Sequence, residues 1–583
     1  MSRRWSVAWI RPALLLLSGI LLVWWLDPAL PGSNVGLLWR NALPVSVFAL
    51  LLFGLSGRVL LSIWLAATTT WLVFLVNGIK ERQMNAPLMP GDWVVHSQLL
   101  HNISFFSHYT GKMLPSLLGM VVFCAATWIV WRCERRWARP KPASRILLTL
   151  LSLGLLYTAY RGERPFGKIY SDDQLAGYQP WDPISSVQSM GLMAALVRMT
   201  QEARIRIPKA DEAEIADFAK AHAVDLNERF ARKIPAELPD IVVVQSEAFF
   251  DPGIMKGINL GDFAPNFERL AASGLTGSLE TPTYGGGTIR TEFETLTGYP
   301  MLAFPSIVYP YYGLVRKWMP SVPRRLRSFG YSTTLFHPFH ADFWNRQEVM
   351  PELGFEHSFY ESDFGNAARA GFYISDQALY DFVLSHLPQA GASSYSLVIT
   401  MENHGPWSND LSGLPHALDG HPLPAGLGAS GKQEMTYYLS HLVNGDTALG
   451  DFASKLMARK RWTVLLFYGD HLPSLDDAFN DIGFDDGKNY AYQHTRYMLI
   501  SNRPLAPARL DLSAYDLPGL LFDTLKLPED GYMAFDGAIR KAAANDSPEQ
   551  DAHYGQISFN AALMEVRCEK KLGADGKCKK GLL

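Results

Sequence analysis

Ile241-Val242-Val243-Val244-Gln245-Ser246-Glu247 is a β-branched run that ends on a carboxylate. Its continuous apolar character predicts a strand buried on both faces, as in a parallel sheet. Similar runs recur at Thr333–His337, Ser396–Thr400, Thr463–Tyr468 and Tyr497–Ser501, with helical stretches such as Gln433–Arg459 between them. Strands alternating with helices predict an α/β domain whose mostly parallel sheet is covered by helices. In such sheets, ligands bind beyond the carboxyl ends of the strands.

Those ends carry chemistry. Glu247 follows the first run, Glu402-Asn403-His404 the third and Asp470-His471 the fourth. Carboxylates and imidazoles far apart in sequence are thereby predicted at one sheet edge, the donor types that hold a divalent cation. A second feature is Thr283-Tyr284-Gly285-Gly286-Gly287-Thr288, a glycine-rich turn running into a predicted helix, Ile289–Thr297. Thr288 at that helix start has two readings. One is an N-cap; the other is a nucleophile, for which a hydroxyl needs a base or a metal.

Upstream, five apolar stretches at about residues 8–26, 41–57, 59–79, 113–131 and 146–160 approach the length that crosses a bilayer. The first is preceded by Arg3 and Arg4 but ends in Trp24-Trp25-Leu26-Asp27 without a small-residue cleavage site, so it reads as a retained anchor. With alternating spans, Arg3, Arg4, Arg58 and the basic segment Arg132–Arg145 share one side. By the positive-inside rule that side is cytoplasmic, and the chain after the fifth span emerges outside. The loop at about 80–112, with Trp93, Phe105, Phe106 and Tyr109, is external in this topology. The expected organisation is a five-span domain over 1–160, a linker with connecting helices over 161–235, a catalytic domain over 236–545 and a tail over 546–583.

Over 583 residues, 48% are hydrophobic and only 19% charged, and charge is scarce before about residue 160, as a membrane region requires. A net charge of −3 offers no basic field for nucleic acid. Of four cysteines, Cys568 and Cys578 in the C-terminal tail either close a small disulfide loop or remain thiols.

Five ordered motifs make the chain recognisable. They are the strand ending in Glu247, Gly286–Phe293 of the form Gly-x-Thr-x-x-x-Glu-Phe, His337 with Phe343-Trp344-Asn345-Arg346, Asn403-His404-Gly405-Pro406-Trp407, and Tyr468-Gly469-Asp470-His471. Together they resemble the lipoteichoic acid synthase and phosphoglycerol transferase family of the alkaline phosphatase superfamily, with its sulfatase-like catalytic domain. The resemblance implies a metal site of Glu247, Thr288, Asp470 and His471, with Mn²⁺ as the expected ion and Mg²⁺ or Zn²⁺ as alternatives. It implies Thr288 as covalent nucleophile, His404 as a proton donor or headgroup ligand, and His337, Trp344, Arg346 and His404 as the substrate pocket. His340 matches no family position and is expected at the surface or behind the site. Ser321-Val322-Pro323-Arg324-Arg325 fits the Ser-x-Pro-x-Arg pattern of sulfatases, but the place of their nucleophile is held here by Thr288.

The implied function is transfer of glycerol phosphate from phosphatidylglycerol, through phosphoglyceryl-threonine, to a hydroxyl of an envelope glycan or polyglycerolphosphate. The implied place is the cytoplasmic (inner) membrane, with the catalytic domain extracytoplasmic. Two alternatives are a phosphoethanolamine transferase, whose exported domains usually carry several disulfides, and a polytopic glycan- or lipid-binding sensor, which would have lost a ligand or the nucleophile.

Overall fold

The computed structural model describes residues 2–30, 35–84, 87–90, 92, 110–134, 141–171, 175, 183–202, 209–304, 307, 309–315, 319–341, 343–405, 407, 411, 414, 422–543, 551–568 and 571–579. The chain divides into two compact units, Met1–Arg206 and Ile207–Leu583.

The first unit is helical. Its long helices are α1 (Ser2–Leu26), α2 (Val35–Ser56), α3 (Val59–Met84), α4 (Thr110–Cys133) and α5 (Pro142–Arg161). Three helical segments, Val35–Ser56, Val59–Glu81 and Pro142–Arg161, are long and apolar enough to cross a membrane. α1 and α4 contribute the shorter apolar segments Ala13–Leu26 and Val121–Cys133. Leu21, Trp25, Val121, Trp128, Leu147 and Leu150 stay exposed on these helices. Apolar surface of that extent is what lipid covers. The aromatic segment 93–109 and the basic segment 135–140 lie outside the described residues.

The stretch 161–235, expected as a linker, is shared between the units. Its first part packs on the long helices through polar locks: Asn41 donates to the Met190 carbonyl at 2.8 Å and accepts from the Ala194 N–H at 2.9 Å, while Asp27 accepts from the Leu192 N–H at 2.8 Å. Its later part, the helices Glu212–Ala221 and Ala223–Ala231, belongs to the second unit. There Arg229, almost wholly buried, pairs with Asp225, Asp523 and Glu529 at 2.8–2.9 Å. The expected tail is also part of this unit. Glu565, in the helix Asp551–Cys568, accepts from the Tyr299 hydroxyl and the Tyr532 N–H, both at 2.9 Å. Cys578 is disulfide-bonded, whereas Cys124 and Cys133 are free.

The second unit is built on a nine-stranded sheet. Its strands are β1 (Asp240–Ser246), β2 (Leu275–Glu280), β3 (Ser332–Phe336), β4 (His357–Phe359), β5 (Ser394–Ile399), β6 (Thr463–Gly469), β7 (Thr495–Ser501), β8 (Ala508–Arg509) and β9 (Leu512–Ser513). The order is β8-β2-β7-β6-β1-β5-β3-β4, with β9 also on β2. β4, β3, β5, β1 and β6 run parallel, and β7 is antiparallel to both neighbours, β6 and β2. Every residue of β1, β5 and β6 is buried, which is why these strands read as unbroken apolar runs. Val244, Phe267, Leu439, Phe452 and Phe467 belong to one continuous core. At the amino end, the buried Asp240 is neutralised by Arg459 and Arg461, each at 2.7 Å. The register pairs Ser246 with Gly469 and Gln245 with Ile399, so the residues following β1, β5 and β6 emerge together at one edge.

Candidate metal centre and nucleophile

Glu247, Asp470 and His471 offer ligand atoms that all lie within 4.8 Å of one another, in a site where each is at least 97% buried. The backbone around them is tightly pinned. The Ala248 N–H donates to Asp470 Oδ1 at 2.8 Å, and the Glu247 N–H donates to Thr400 Oγ1 at 3.1 Å. Gly469 is required here, because a Cβ would stand 1.9 Å from the Phe249 carbonyl.

His471 Nδ1 lies 2.9 Å from the Leu472 carbonyl, which can only accept, so Nδ1 carries hydrogen. Nε2 then faces Glu247 and Asp470 at 3.4 and 3.5 Å. Fixing one imidazole nitrogen by a carbonyl is the usual way a metal-ligand tautomer is set. The second oxygen of Asp470 is buried without any hydrogen-bond partner. A buried carboxylate oxygen left bare is costly unless a cation sits against it. The electrostatics agree. Burial opposes charge on His471, yet Asp470 and Glu247 raise it to about 9. Burial and then Glu247 push the Asp470 carboxyl up. The Glu247 carboxyl, despite its burial, is brought below its ordinary value by His404 and His471. The donor set is therefore a negative pocket that fits a divalent ion.

Thr288 precedes α6 (Ile289–Thr297), and its hydroxyl makes no cap hydrogen bond. Its φ and ψ of −33° and −40° are already helical, so the geometry of an N-cap is missing. Instead, Oγ1 points inward, 3.4 Å from Glu247 Oε2 and 3.5 Å from His471 Nε2. The turn before it has Gly285, Gly286 and Gly287 at φ of 64°, 148° and 76°, values that only glycine adopts freely in succession. The Gly285 N–H donates to the Leu472 carbonyl at 3.0 Å, and Thr291 Oγ1 to the Asp470 carbonyl at 2.7 Å. These bonds tie the Gly285–Thr288 loop and α6 to the turn that carries Asp470 and His471.

His337 and Arg346 meet in the interior. Arg346 Nη1 donates to His337 Nε2 at 3.2 Å, and His337 Nδ1 reaches the Ile399 carbonyl at 3.5 Å. Burial and the neighbouring guanidinium hold His337 far below the ordinary imidazole value, so it is neutral. Arg346 starts α7 (Arg346–Leu353) and is clasped by Glu292 of α6. Tyr311 donates to the same carboxylate at 2.6 Å. Trp344 and Asn345 have φ of 57° and 60°, left-handed for bulky side chains, and Trp344 packs on Tyr309 at 5.3 Å. Consecutive residues in that region cost on the order of 1–3 kcal/mol each and persist where the surroundings hold them. His404 is half-buried; its Nδ1 contacts the Gly405 carbonyl and lies 3.2 Å from the Tyr373 hydroxyl.

Some residues read differently in three dimensions. Ser321 caps the helix Val322–Ser328, accepting from the Arg324 N–H at 3.4 Å and donating to the Leu353 carbonyl, so its Ser-x-Pro-x-Arg pattern is a helix start. His340 pairs with Glu361 at 3.2 Å, one quarter exposed. Glu292 and Tyr311 had no predicted role, although Glu292 stands inside the motif that supplied Thr288. The signal available was a carboxylate one helical turn after Thr288, facing the same side.

Residues 239–511 match the Sulfatase family model. Two curated relatives come from Rhizobium meliloti (strain 1021). One, described as a "Putative cyclic beta-1,2-glucan modification protein", is 25% identical over 53% of this chain and 46% of its own length. The other, the capsular polysaccharide biosynthesis protein RkpI, is 32% identical over 47% of this chain and 46% of its own length. The chain thus spans about half the length of these relatives. Among solved structures, the phosphoglycerol transferase GacH of Streptococcus pyogenes, in complex with sn-glycerol-1-phosphate, aligns with a TM-score of 0.49 and 23% identity, covering 61% of this chain and 94% of that one. The lipoteichoic acid synthase LtaP of Listeria monocytogenes aligns at 0.42 and 21%, covering 52% and 78%. Residues 239–511, which hold the parallel strands and the carboxylates and imidazoles at their ends, are thus similar to the Sulfatase family.

Proposed function

We propose that this protein is a membrane-anchored phosphoglycerol transferase, moving glycerol phosphate from phosphatidylglycerol to a hydroxyl of an envelope glycan or polyglycerolphosphate. The observation that carries the reading is the Thr288 hydroxyl, turned away from its own helix and toward Glu247 and His471. A hydroxyl in that position is a nucleophile for phosphorus rather than a cap.

Glu247, Asp470, His471 and the Thr288 oxygen are the groups that would hold the divalent ion, with Mn²⁺ the expected one. When bound, it would lower the hydroxyl's pKa and offset charge gathering on the phosphoryl oxygens. The chain's own residues do the rest. α6 presents its N-terminus, where N–H groups and the dipole favour an anion. Arg346 retains N–H groups beyond those given to Glu292 and His337, and a guanidinium suits phosphate oxygens. His404 would move a proton at the departing or arriving oxygen.

Five membrane spans with the catalytic unit outside suit this chemistry, because the donor and the released diacylglycerol both belong to the bilayer. The names of the curated relatives favour a glycan acceptor. The test uses full-length protein in vesicles containing labelled phosphatidylglycerol or labelled phosphatidylethanolamine. Transfer of label from the first alone supports the reading. Transfer from the second alone makes the protein a phosphoethanolamine transferase, and binding without transfer makes it a sensor.

A further inference from the structure

The turn that carries His404 is gripped from several sides. Glu402, wholly buried, accepts from Asn444 Nδ2 at 2.6 Å and from the Asp376 N–H at 2.8 Å. Trp407 Nε1 donates to the Asn403 carbonyl at 3.0 Å. The ring itself is held by a residue from elsewhere. Tyr373, buried in the short hairpin Arg369–Ala370/Tyr373–Ile374, brings its hydroxyl to 3.2 Å from His404 Nδ1 and donates to the Gly405 carbonyl at 3.4 Å.

The Gly405 carbonyl also contacts His404 Nδ1. A carbonyl only accepts, so Nδ1 must carry hydrogen, shared between that oxygen and the phenol. Among the described residues nothing is hydrogen-bonded to Nε2. One nitrogen is therefore tethered and the other is left open.

We propose that Tyr373 is a positioning residue: its hydroxyl holds the His404 ring so that the Nδ1 hydrogen stays against the Gly405 carbonyl, which reserves Nε2 for proton exchange with the reacting oxygens. The proposal rests on the transfer reading above and adds the element that orients its proton carrier. In the first half-reaction, the Thr288 hydroxyl proton leaves to solvent as Oγ1 bonds to phosphorus. The bond from phosphorus to the departing alcohol breaks, and that oxygen takes the proton from Nε2 of the imidazolium. In the second, neutral Nε2 takes the acceptor hydroxyl's proton as the acceptor oxygen bonds to phosphorus. The Oγ1–phosphorus bond breaks, and Thr288 regains a proton from solvent.

The test compares two donors in the full-length, Mn²⁺-loaded protein. Phosphatidylglycerol releases an alkoxide that needs a proton; the 4-nitrophenyl ester of glycerol phosphate releases an anion that does not. Tyr373→Phe, which keeps the ring, is expected to lower kcat on the lipid by about 10- to 100-fold, a fraction of what a positioned acid supplies. KM should stay within about twofold, and so should the first-turnover burst of nitrophenolate from the ester, which precedes the step that needs a base. Equal losses on both donors, or none on the lipid, overturn the proposal. An independent readout is the ¹⁵N spectrum of histidine-labelled protein, with His404 assigned by its disappearance in His404→Gln. At a pH where the ring is neutral, the Nδ1-protonated tautomer is expected in the wild type and a mixture of tautomers in Tyr373→Phe; identical spectra overturn the proposal even if both donors are inert. Loss of nitrophenyl turnover in Thr288→Ala tests the transfer reading separately.

Discussion

The guanidinium of Arg346 lies against the carboxylate of Glu292, Nη2 to Oε2 at 2.8 Å and Nε to Oε1 and Oε2 at 3.2 Å, with both side chains almost completely buried. This fork joins the helix that begins at the proposed nucleophile to the helix that begins at Arg346. Removing one member of such a buried pair leaves the other charged and unpaired, at a cost of about 3–5 kcal/mol. Glu292→Gln should therefore lower the domain's unfolding free energy by roughly 3 kcal/mol, measured in denaturant. Arg346→Lys should do comparable damage, since an ammonium cannot make the two-pronged contact.

Gly469→Ala should separate the metal ligands. The added Cβ would meet the Phe249 carbonyl at 1.9 Å, forcing the end of β6 away from the turn that carries Glu247. Calorimetric titration with Mn²⁺ should show affinity falling by at least about tenfold, the scale seen when the support of a metal ligand is lost. Unaltered affinity would mean that the turn adjusts without moving Asp470 or His471.

Much of this was readable in the chain because the physics is local. β1, β5 and β6 are buried on both faces and so spell continuous apolar runs, and the residue after each run falls at the functional edge. β2, with alternating burial from Leu275 to Glu280, and the two-residue strands β8 and β9 have no such signature. β2 pairs with β7, more than 200 residues away, and β8 and β9 pair in turn with β2. The Glu292–Arg346–His337 network was equally hidden, because its members lie on two helices and a strand end and meet only after folding. Left-handed Trp344 and Asn345 follow no turn signal of their own; the packing of Trp344 against Tyr309 accompanies that conformation.

Glu294 supplies a pH test. Burial raises its carboxyl to about 8, against the favourable Met301 N–H at 2.7 Å. A carboxyl whose folded value lies above its unfolded value is neutral and stabilising at low pH. That contribution declines as pH rises from about 4.5 and is lost once pH passes about 8. Wild-type stability should fall across that window relative to Glu294→Gln, which stays neutral throughout. Parallel pH profiles of unfolding would contradict this.

Metal removal should be visible without any substrate. Binding to the folded state alone adds about 2.7 kcal/mol of stability at a hundredfold excess over Kd. Mn²⁺ should therefore raise Tm by several degrees over chelated protein, and Asp470→Asn should abolish the increase. A wild-type Tm indifferent to chelator and metal would remove Glu247, Asp470 and His471 as a metal site.

The central claim is that Thr288 carries the phosphoryl group, and mass spectrometry of the acid-quenched protein after incubation with phosphatidylglycerol and Mn²⁺ tests it most directly. The account predicts a phosphoglyceryl adduct on the peptide containing Thr288, absent from Thr288→Ala, which should also lose transfer. An unmodified wild-type peptide together with full transfer by Thr288→Ala would contradict it.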